Sequence, residues 1–429
     1  MVKKSNIILT ADSKRVILRF FDPGSEFRVR NIIGRILNMQ EGEVEKLYDE
    51  VEERFSNRHR NFEQVLLNHF NKVEKYIPGV FSLSENRKLL IGSYFSKEYS
   101  ISSAALFNPS IVPHPDQTGL NPGELRFIMS LRAVGEGHIS SIEFRSGIID
   151  AHNSIQIDPP SRFASLASAR EERVETSFTI DDELTREANY NIFFTGEEPV
   201  SERVIFPFSR TESNGIEDVR FVKFFNDDGT STYYGTFTAY DGHRILSQII
   251  RTDDFIKFEI RTLQGDKAKD KGMASFPKKI NGKYTIISRI DGENLYFMQS
   301  DDLYKWEAAE VLRTPLMDWE FVQIGNCGSP HETEKGWLLI THGVGPMRRY
   351  VISAILLDKN NPAKIIGYLK DPLIEPDENE REGYVPNVVY SCGGLIHNHE
   401  LIIPYAMSDS ASSVASIPLE KILGKIIPI

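Results

Sequence analysis

Thr232-Tyr-Tyr-Gly-Thr-Phe-Thr238, Lys283-Tyr-Thr-Ile-Ile-Ser-Arg289 and Gly336-Trp-Leu-Leu-Ile-Thr-His342 are three versions of one phrase. Each is a short aromatic and β-branched run that follows a polar turn, the composition of a β-strand. Two further copies are Arg126-Phe-Ile-Met-Ser-Leu-Arg132 and Glu400-Leu-Ile-Ile-Pro-Tyr405. A shorter strand is expected before each, near Asn108-Pro109-Ser110, Glu217-Asp218-Val219, Ala274-Ser275-Phe276-Pro277, Gly328-Ser329-Pro330 and Val385-Pro386-Asn387. Tyr233 lies 51 residues before Tyr284, Tyr284 lies 53 before Trp337, and Trp337 lies 64 before Leu401. A recurrence of roughly 40–50 residues is that of a β-propeller blade, whereas a sandwich repeats its strands at shorter intervals. The five pairs predict an all-β, five-bladed β-propeller over residues 101–429. The gap from Phe127 to Tyr233 is 106 residues, which predicts an insertion at about 157–210, around Asp181-Asp182-Glu183-Leu184.

The first hundred residues have a different texture. Between Arg28 and Tyr76 there is no proline and little glycine. Apolar residues recur at helical spacing through Ile32, Ile33, Ile36 and Leu37, then Val44, Leu47, Val51 and Phe55, then Phe62, Val65, Leu66, Phe70 and Val73. Two or three amphipathic helices are expected, broken at Asn38–Gly42, as an α-helical N-terminal extension over residues 1–100.

Composition narrows the function. Of 429 residues, 40% are hydrophobic and 26% charged, ordinary for a soluble enzyme with a substantial core. Lysine and arginine number 50 against 61 acidic residues, a net charge of −11, which leaves no electrostatic footprint for nucleic acid or an anionic membrane. Two cysteines, Cys327 and Cys392, exclude a disulfide framework and a cysteine-rich zinc module, and read as buried small residues. Ile7-Ile8-Leu9 is too short for a signal-peptide core, and no apolar run reaches 18 residues, so the expected location is the cytoplasm with no membrane partner.

In a propeller the strand ends of all blades converge on one mouth. Asn108, Asp218, Lys271, His331 and Asn387 fall at such ends, as do Arg132, Asp241, Arg289, His342 and Asp409 on the following strands. A polar residue at this point in every blade suggests a polar funnel. Asp218 is either a strand-start residue paired with Arg220 or, beside an aromatic mouth, a general acid. Lys271, Arg289 and His342 are singly surface charges or a satisfied histidine; together they would suit an anion such as phosphate. Arg348 and Arg349 are a further basic pair, or a plain basic turn. His397-Asn398-His399 and His331-Glu332 match no metal-ligand spacing, and Gly343-Val-Gly345 lacks the lysine and helix of a phosphate loop, so neither metal nor cofactor is expected.

From Phe107 to Lys425 the chain resembles glycoside hydrolase family 130, the β-mannoside phosphorylases and related mannosidases. The resemblance rests on Asn214-Gly-Ile-Glu-Asp-Val-Arg220, Thr236-Phe-Thr-Ala-Tyr-Asp241, Phe276-Pro-Lys-Lys-Ile-Asn-Gly-Lys-Tyr284, Glu334-Lys-Gly-Trp-Leu-Leu-Ile-Thr-His-Gly343 and Gly383-Tyr-Val-Pro-Asn-Val-Val389. It implies a five-bladed propeller and an inverting phosphorylase that cleaves manno-oligosaccharides with inorganic phosphate, reversibly, to α-mannose 1-phosphate. Asp218 would be the general acid, acting through a hydroxyl of the bound mannose. Lys271, Arg289 and His342 would hold phosphate, Asp409 would hold the sugar, and Asn108, Arg132 and Asp241 would line the sugar site. No second catalytic carboxylate is needed, because phosphate is itself a nucleophile. Two departures stand out: Val219 follows Asp218 where the family usually has proline, and Glu332 stands where many phosphorylases carry a phosphate-binding lysine. Arg348 or Arg349 would then replace that charge. The alternatives are an inverting β-mannosidase with Glu332 or Glu136 as base, and a non-catalytic glycan-binding propeller. The resemblance also implies a homo-oligomer assembled through the N-terminal helices.

Overall fold

The computed structural model describes residues 2–79, 82–170 and 187–429; the Asp181–Leu184 stretch lies outside them. The chain divides into two compact units. One comprises Asp12–Ser103 with Ser161–Ser165; the other comprises the chain up to Ala11, Ala104–Pro160 and Leu166–Ile429.

The smaller unit is built on four helices, Glu26–Leu37, Glu41–Phe55, Phe62–Val73 and Glu85–Tyr94. Ser25 and Ser84 cap two of them by accepting the Arg28 and Arg87 amides, and Gln40 and Glu43 form a capping box on a third. Their apolar stripes meet in one core of Val29, Ile33, Val44, Leu66, Phe70 and Leu90. Gly92 is required there, because a Cβ would stand 2.1 Å from the Leu66 carbonyl oxygen. Arg87 donates to the carbonyls of Ile36 and Met39 and to Glu41, closing the turn between the first two helices. A two-stranded sheet, Val16–Phe20 with Ser96–Ser100, completes the unit.

The larger unit is mostly β. Ala105–Pro113, Leu125–Val134 and Ser140–Ile149 form one antiparallel meander. Gly215–Phe225, Ser231–Tyr240, Ile245–Thr252 and Lys257–Thr262 form a second, joined to the first by a parallel bridge between Gly215 and Ser140. A third sheet holds Ala274–Ser275, Tyr284–Ser288, Leu295–Ser300 and Glu310–Arg313. A fourth holds Gln323–Asn326, Gly336–Val344, Tyr350–Leu357 and Ile365–Tyr368. The fifth holds Val389–Tyr390, Glu400–Met407 and Ala411–Pro418, and Lys3–Lys4 from the start of the chain pairs with Ala415 and Ser416. Lys4 reinforces that pairing through Glu380 at 2.6 Å, which also accepts the Tyr405 hydroxyl at 2.7 Å.

Three local expectations differ from what is observed. The strand before Gly336 is Gln323–Asn326, not Gly328–Pro330. Gly328 has a φ of 100° and lies against the Cys392 carbonyl, so Gly328-Ser329-Pro330 is a link to His331–Thr333. Asn387, with a φ of 62°, precedes its strand rather than starting it. Within 157–210, Tyr190–Phe193 pairs with Lys257–Thr262 and Arg203–Ile205 pairs with Ser140–Ile149, so these described residues extend existing sheets.

Cores lie between the sheets. The largest packs Phe144, Phe221, Tyr233, Phe255 and Phe258 with ring centroids 4.9–6.4 Å apart. Gly235 faces this cluster: a Cβ there would lie 2.8–2.9 Å from Ile250, Phe221 and Val219. Gly235→Ala is therefore expected to overpack the strand opposite Phe221 and to destabilise the protein by about 1–3 kcal/mol. A urea midpoint that does not fall would contradict this packing.

Candidate active site

Alternation along a strand sends neighbouring side chains to opposite faces. Gly215–Phe225 breaks that rule at Glu217-Asp218-Val219-Arg220, where its register against Thr238 and Thr236 shifts by one residue. Asp218 adopts a left-handed φ of 57°. Ala105–Pro113 carries the same irregularity between Phe107 and Ser110, with Asn108 at φ 49°. Aspartate and asparagine tolerate this conformation better than most residues. The two bulges face each other, and Asn108 Nδ2 donates to Asp218 Oδ1 at 2.7 Å.

Arg132 reaches both carboxylates produced by the bulge. Its Nη1 is 3.3 Å from Asp218 Oδ1 and its Nη2 is 2.7 Å from Glu217 Oε1. The other Glu217 oxygen takes Lys271 Nζ at 2.6 Å. Arg220 does not pair with the Asp218 carboxylate; Nη1 donates to the Asp218 carbonyl at 2.9 Å, Nη2 to the Tyr390 hydroxyl at 2.5 Å and Nε to Asn326 Oδ1 at 3.2 Å. Burial pushes the Asp218 carboxyl up, but Arg132, Arg220, the Asn108 amide and Lys271 outweigh it and hold it below the usual carboxylate range.

Asp409 is the opposite case. Burial and the charge of Asp218 push it up to about 6, against Arg132 and Arg348. Its carboxylate has no hydrogen-bond partner among the described residues. Arg289 lies 3.9 Å from Asp270, and its buried Nε has no hydrogen bond. His342 is 2% exposed, and burial together with Arg289 and Arg220 pushes it well below the usual histidine value. Its Nδ1 donates to the Asn326 carbonyl at 3.2 Å, which fixes the tautomer and leaves Nε2 to accept Gln323 Nε2 at 3.1 Å. The ring stacks on Tyr350 at 5.8 Å and lies 4.8 Å from Tyr390.

Of the residues singled out in the sequence, Asn108, Arg132, Asp218, Lys271, Arg289, His342, Arg348 and Asp409 therefore act on one another. His342 joins as a neutral ring and not as a cation, because two arginines flank it in a dry pocket. Asp241 stands apart from them: its carboxylate accepts the His243 and Arg244 amides at 2.8 and 2.6 Å and shapes its own turn. So does Arg349, pairing with Glu375 at 2.8 Å on the surface. Glu332 is a third, held by Lys278 at 2.5 Å and partly exposed. Asn387 accepts from Arg381 at 3.0 Å. His331 is pushed down to about 4 by burial.

Sequence reading missed Glu217, Arg220, Asn326 and Tyr390 as members of the site. Regular alternation would send Glu217 and Asp218 to opposite faces, and only the left-handed tendency of Asp218 hints at a bulge. Asn326 and Tyr390 lay outside every quoted strand pair.

The family model described as β-1,4-mannooligosaccharide phosphorylase, Glyco_hydro_130, matches residues 163–426. A protein of Thermoanaerobacter sp. (strain X514) named 1,2-β-oligomannan phosphorylase is 34% identical over 218 residues, covering 49% of this chain and 71% of the relative. One from Listeria innocua named β-1,2-mannobiose phosphorylase is 28% identical over 228 residues, covering 51% of this chain and 62% of the relative. The solved structure of a Listeria innocua β-1,2-mannobiose phosphorylase with β-1,2-mannobiose superposes with a TM-score of 0.54 at 20% identity, covering 76% of this chain and 93% of that one. With a family match over most of the β unit and a relative one-third identical, this chain belongs to glycoside hydrolase family 130.

Proposed function

We propose that the protein is an inverting β-mannoside phosphorylase, acting on short manno-oligosaccharides and inorganic phosphate on a five-bladed propeller formed by residues 101–429. Five successive antiparallel meanders support the propeller. The single observation that carries the chemistry is Arg132 joined at once to Asp218 and to Glu217, with Lys271 on the other side of Glu217. That arrangement links an acid to a cationic pocket.

Asp218 protonates the leaving glycosidic oxygen, with a mannose hydroxyl as relay. Phosphate attacks the anomeric carbon from the opposite face, the C–O bond to the leaving sugar breaks, and α-mannose 1-phosphate forms. Arg289 and Lys271 supply the anion pocket, with Arg348 at its rim. The field that holds Asp218 ionised in the free protein is the field that phosphate partly cancels, so the arriving anion favours the protonated acid. His342 contributes shape and a fixed dipole rather than charge. Asp409, whose carboxylate is not already engaged, is suited to accept sugar hydroxyls, with Asn108 and Arg132 beside it. No cofactor or metal enters this scheme.

Two observations weigh against the alternatives. Hydrolysis needs a carboxylate base for water, and Glu332 is engaged by Lys278. A mere glycan platform has no need of so many partly buried charges, which are costly to desolvate and cluster where chemistry is done. Exposed Phe27 and Tyr94 on the helical unit support assembly through that unit. Two free buried cysteines support a reducing, cytoplasmic setting. No helix among the described residues is long and apolar enough to cross a membrane.

Turnover of β-mannobiose is expected to require phosphate and to yield α-mannose 1-phosphate, read by phosphorus NMR; equal release of free mannose without phosphate would refute the phosphorylase reading. Asp218→Asn should lower kcat by about 10²–10⁴-fold, the worth of a positioned general acid, with an unaltered circular dichroism spectrum. In nitrogen-resolved imidazole NMR, His342 should keep its Nδ1–H neutral form well below the ordinary histidine range; a midpoint in the ordinary range would contradict the buried, arginine-flanked site.

A further inference from the structure

Glu217 is 7% exposed, and both of its carboxylate oxygens are engaged by cations. Those cations have different duties under the phosphorylase reading. Arg132 addresses the acid Asp218. Lys271, with 34% of its side chain open, addresses the incoming anion. We infer that Glu217 is a positioning residue that couples the two halves of the site, holding Arg132 against Asp218 with one oxygen and aiming Lys271 at phosphate with the other. The inference rests on the phosphorylase reading and deepens it.

The chemistry has a definite sign. An ammonium group has three donors, so Lys271 can serve Glu217 and phosphate together, with Glu217 setting its direction. Without the Glu217 charge, Lys271 and Arg132 face the pocket as uncompensated cations. They then hold phosphate more tightly and aim it less well. Asp218 is faced by Arg132 from Leu125–Val134, Arg220 from its own strand, Lys271 from the loop before Ala274, and Asp409 from the turn after Glu400–Met407. Tyr390, Cys392 and His342 complete its titratable surroundings, and Asn108 adds a neutral donor. Removing the Glu217 charge beside this set favours the ionised carboxylate. Activity that needs Asp218 protonated is then lost at a lower pH than in the wild type.

The test uses the full chain as Glu217→Gln and Glu217→Asp. Phosphorolysis is measured against phosphate concentration from about pH 5 to 9, and inorganic phosphate binding is measured by calorimetry. Glu217→Gln is expected to lower kcat by about tenfold or more while the KM and Kd for phosphate fall, a split that general damage does not produce. Its alkaline limb should move down by about half a pH unit or more. Glu217→Asp keeps the charge with a shorter reach, so kcat should fall while the limb stays near the wild-type position. A limb that does not move in Glu217→Gln overturns the inference, whatever happens to kcat. Should Glu217→Gln not fold, an unchanged kcat in Glu217→Asp overturns it. A wild type indifferent to phosphate overturns the phosphorylase reading and this inference with it; a phosphate-dependent wild type with an unaltered Glu217→Gln variant removes the inference alone.

Discussion

Adjacent carboxylates on a regular strand cannot share one guanidinium, because their side chains leave on opposite faces. In this protein Glu217 and Asp218 do share Arg132, at 2.7 and 3.3 Å, and the strand is bulged between Glu217 and Arg220 to allow it. The same departure on the neighbouring meander brings Asn108 to Asp218. Left-handed backbone at a non-glycine residue costs on the order of 1–3 kcal/mol unless its surroundings fix it. Here the surroundings are two joined meanders, an arginine and an amide, and the resulting geometry places an acid where a smooth strand would put none.

The second layer is electrostatic. Charges taken out of water need partners close by. Glu217 finds two, Arg220 finds Asn326, Tyr390 and a carbonyl, and Asp218 finds Arg132 and Asn108. One pair of opposite sign at the site is incompletely satisfied: Arg289 has a buried Nε without a hydrogen bond, and Asp409 has a carboxyl pushed up to about 6. A neutral, hydroxyl-rich molecule with an anion at one end complements that pair. Burial first, then Arg289 and Arg220, push the titration of His342 well below the usual histidine value.

Much of this was legible in the residues. The strands of Arg126–Arg132, Thr232–Thr238, Lys283–Arg289, Gly336–His342 and Glu400–Tyr405 all lie in observed strands or overlap them within a residue or two. Their strong β-branched and aromatic content explains why. Strand ends carry polar residues, and that pattern brought out Asp218, Lys271 and Asp409. What alternation could not tell was which of two neighbours turns inward, so Glu217 was passed over. Nor could it distinguish a carboxylate that holds a ligand from one that caps its own turn, as Asp241 does through two backbone amides. Charge counting likewise grouped His342 with Lys271 and Arg289 as potentially cationic, and could not foresee that burial and two arginines push its titration well below the usual histidine value.

Lys3 and Lys4 pair with Ser416 and Ala415, more than four hundred residues downstream. During synthesis at about 5–20 residues per second, this early strand must wait tens of seconds for its mate. The sheet containing Glu400–Met407 therefore joins the first strand of the described chain to one of the last, so its edge cannot close until Ala411–Pro418 has been made.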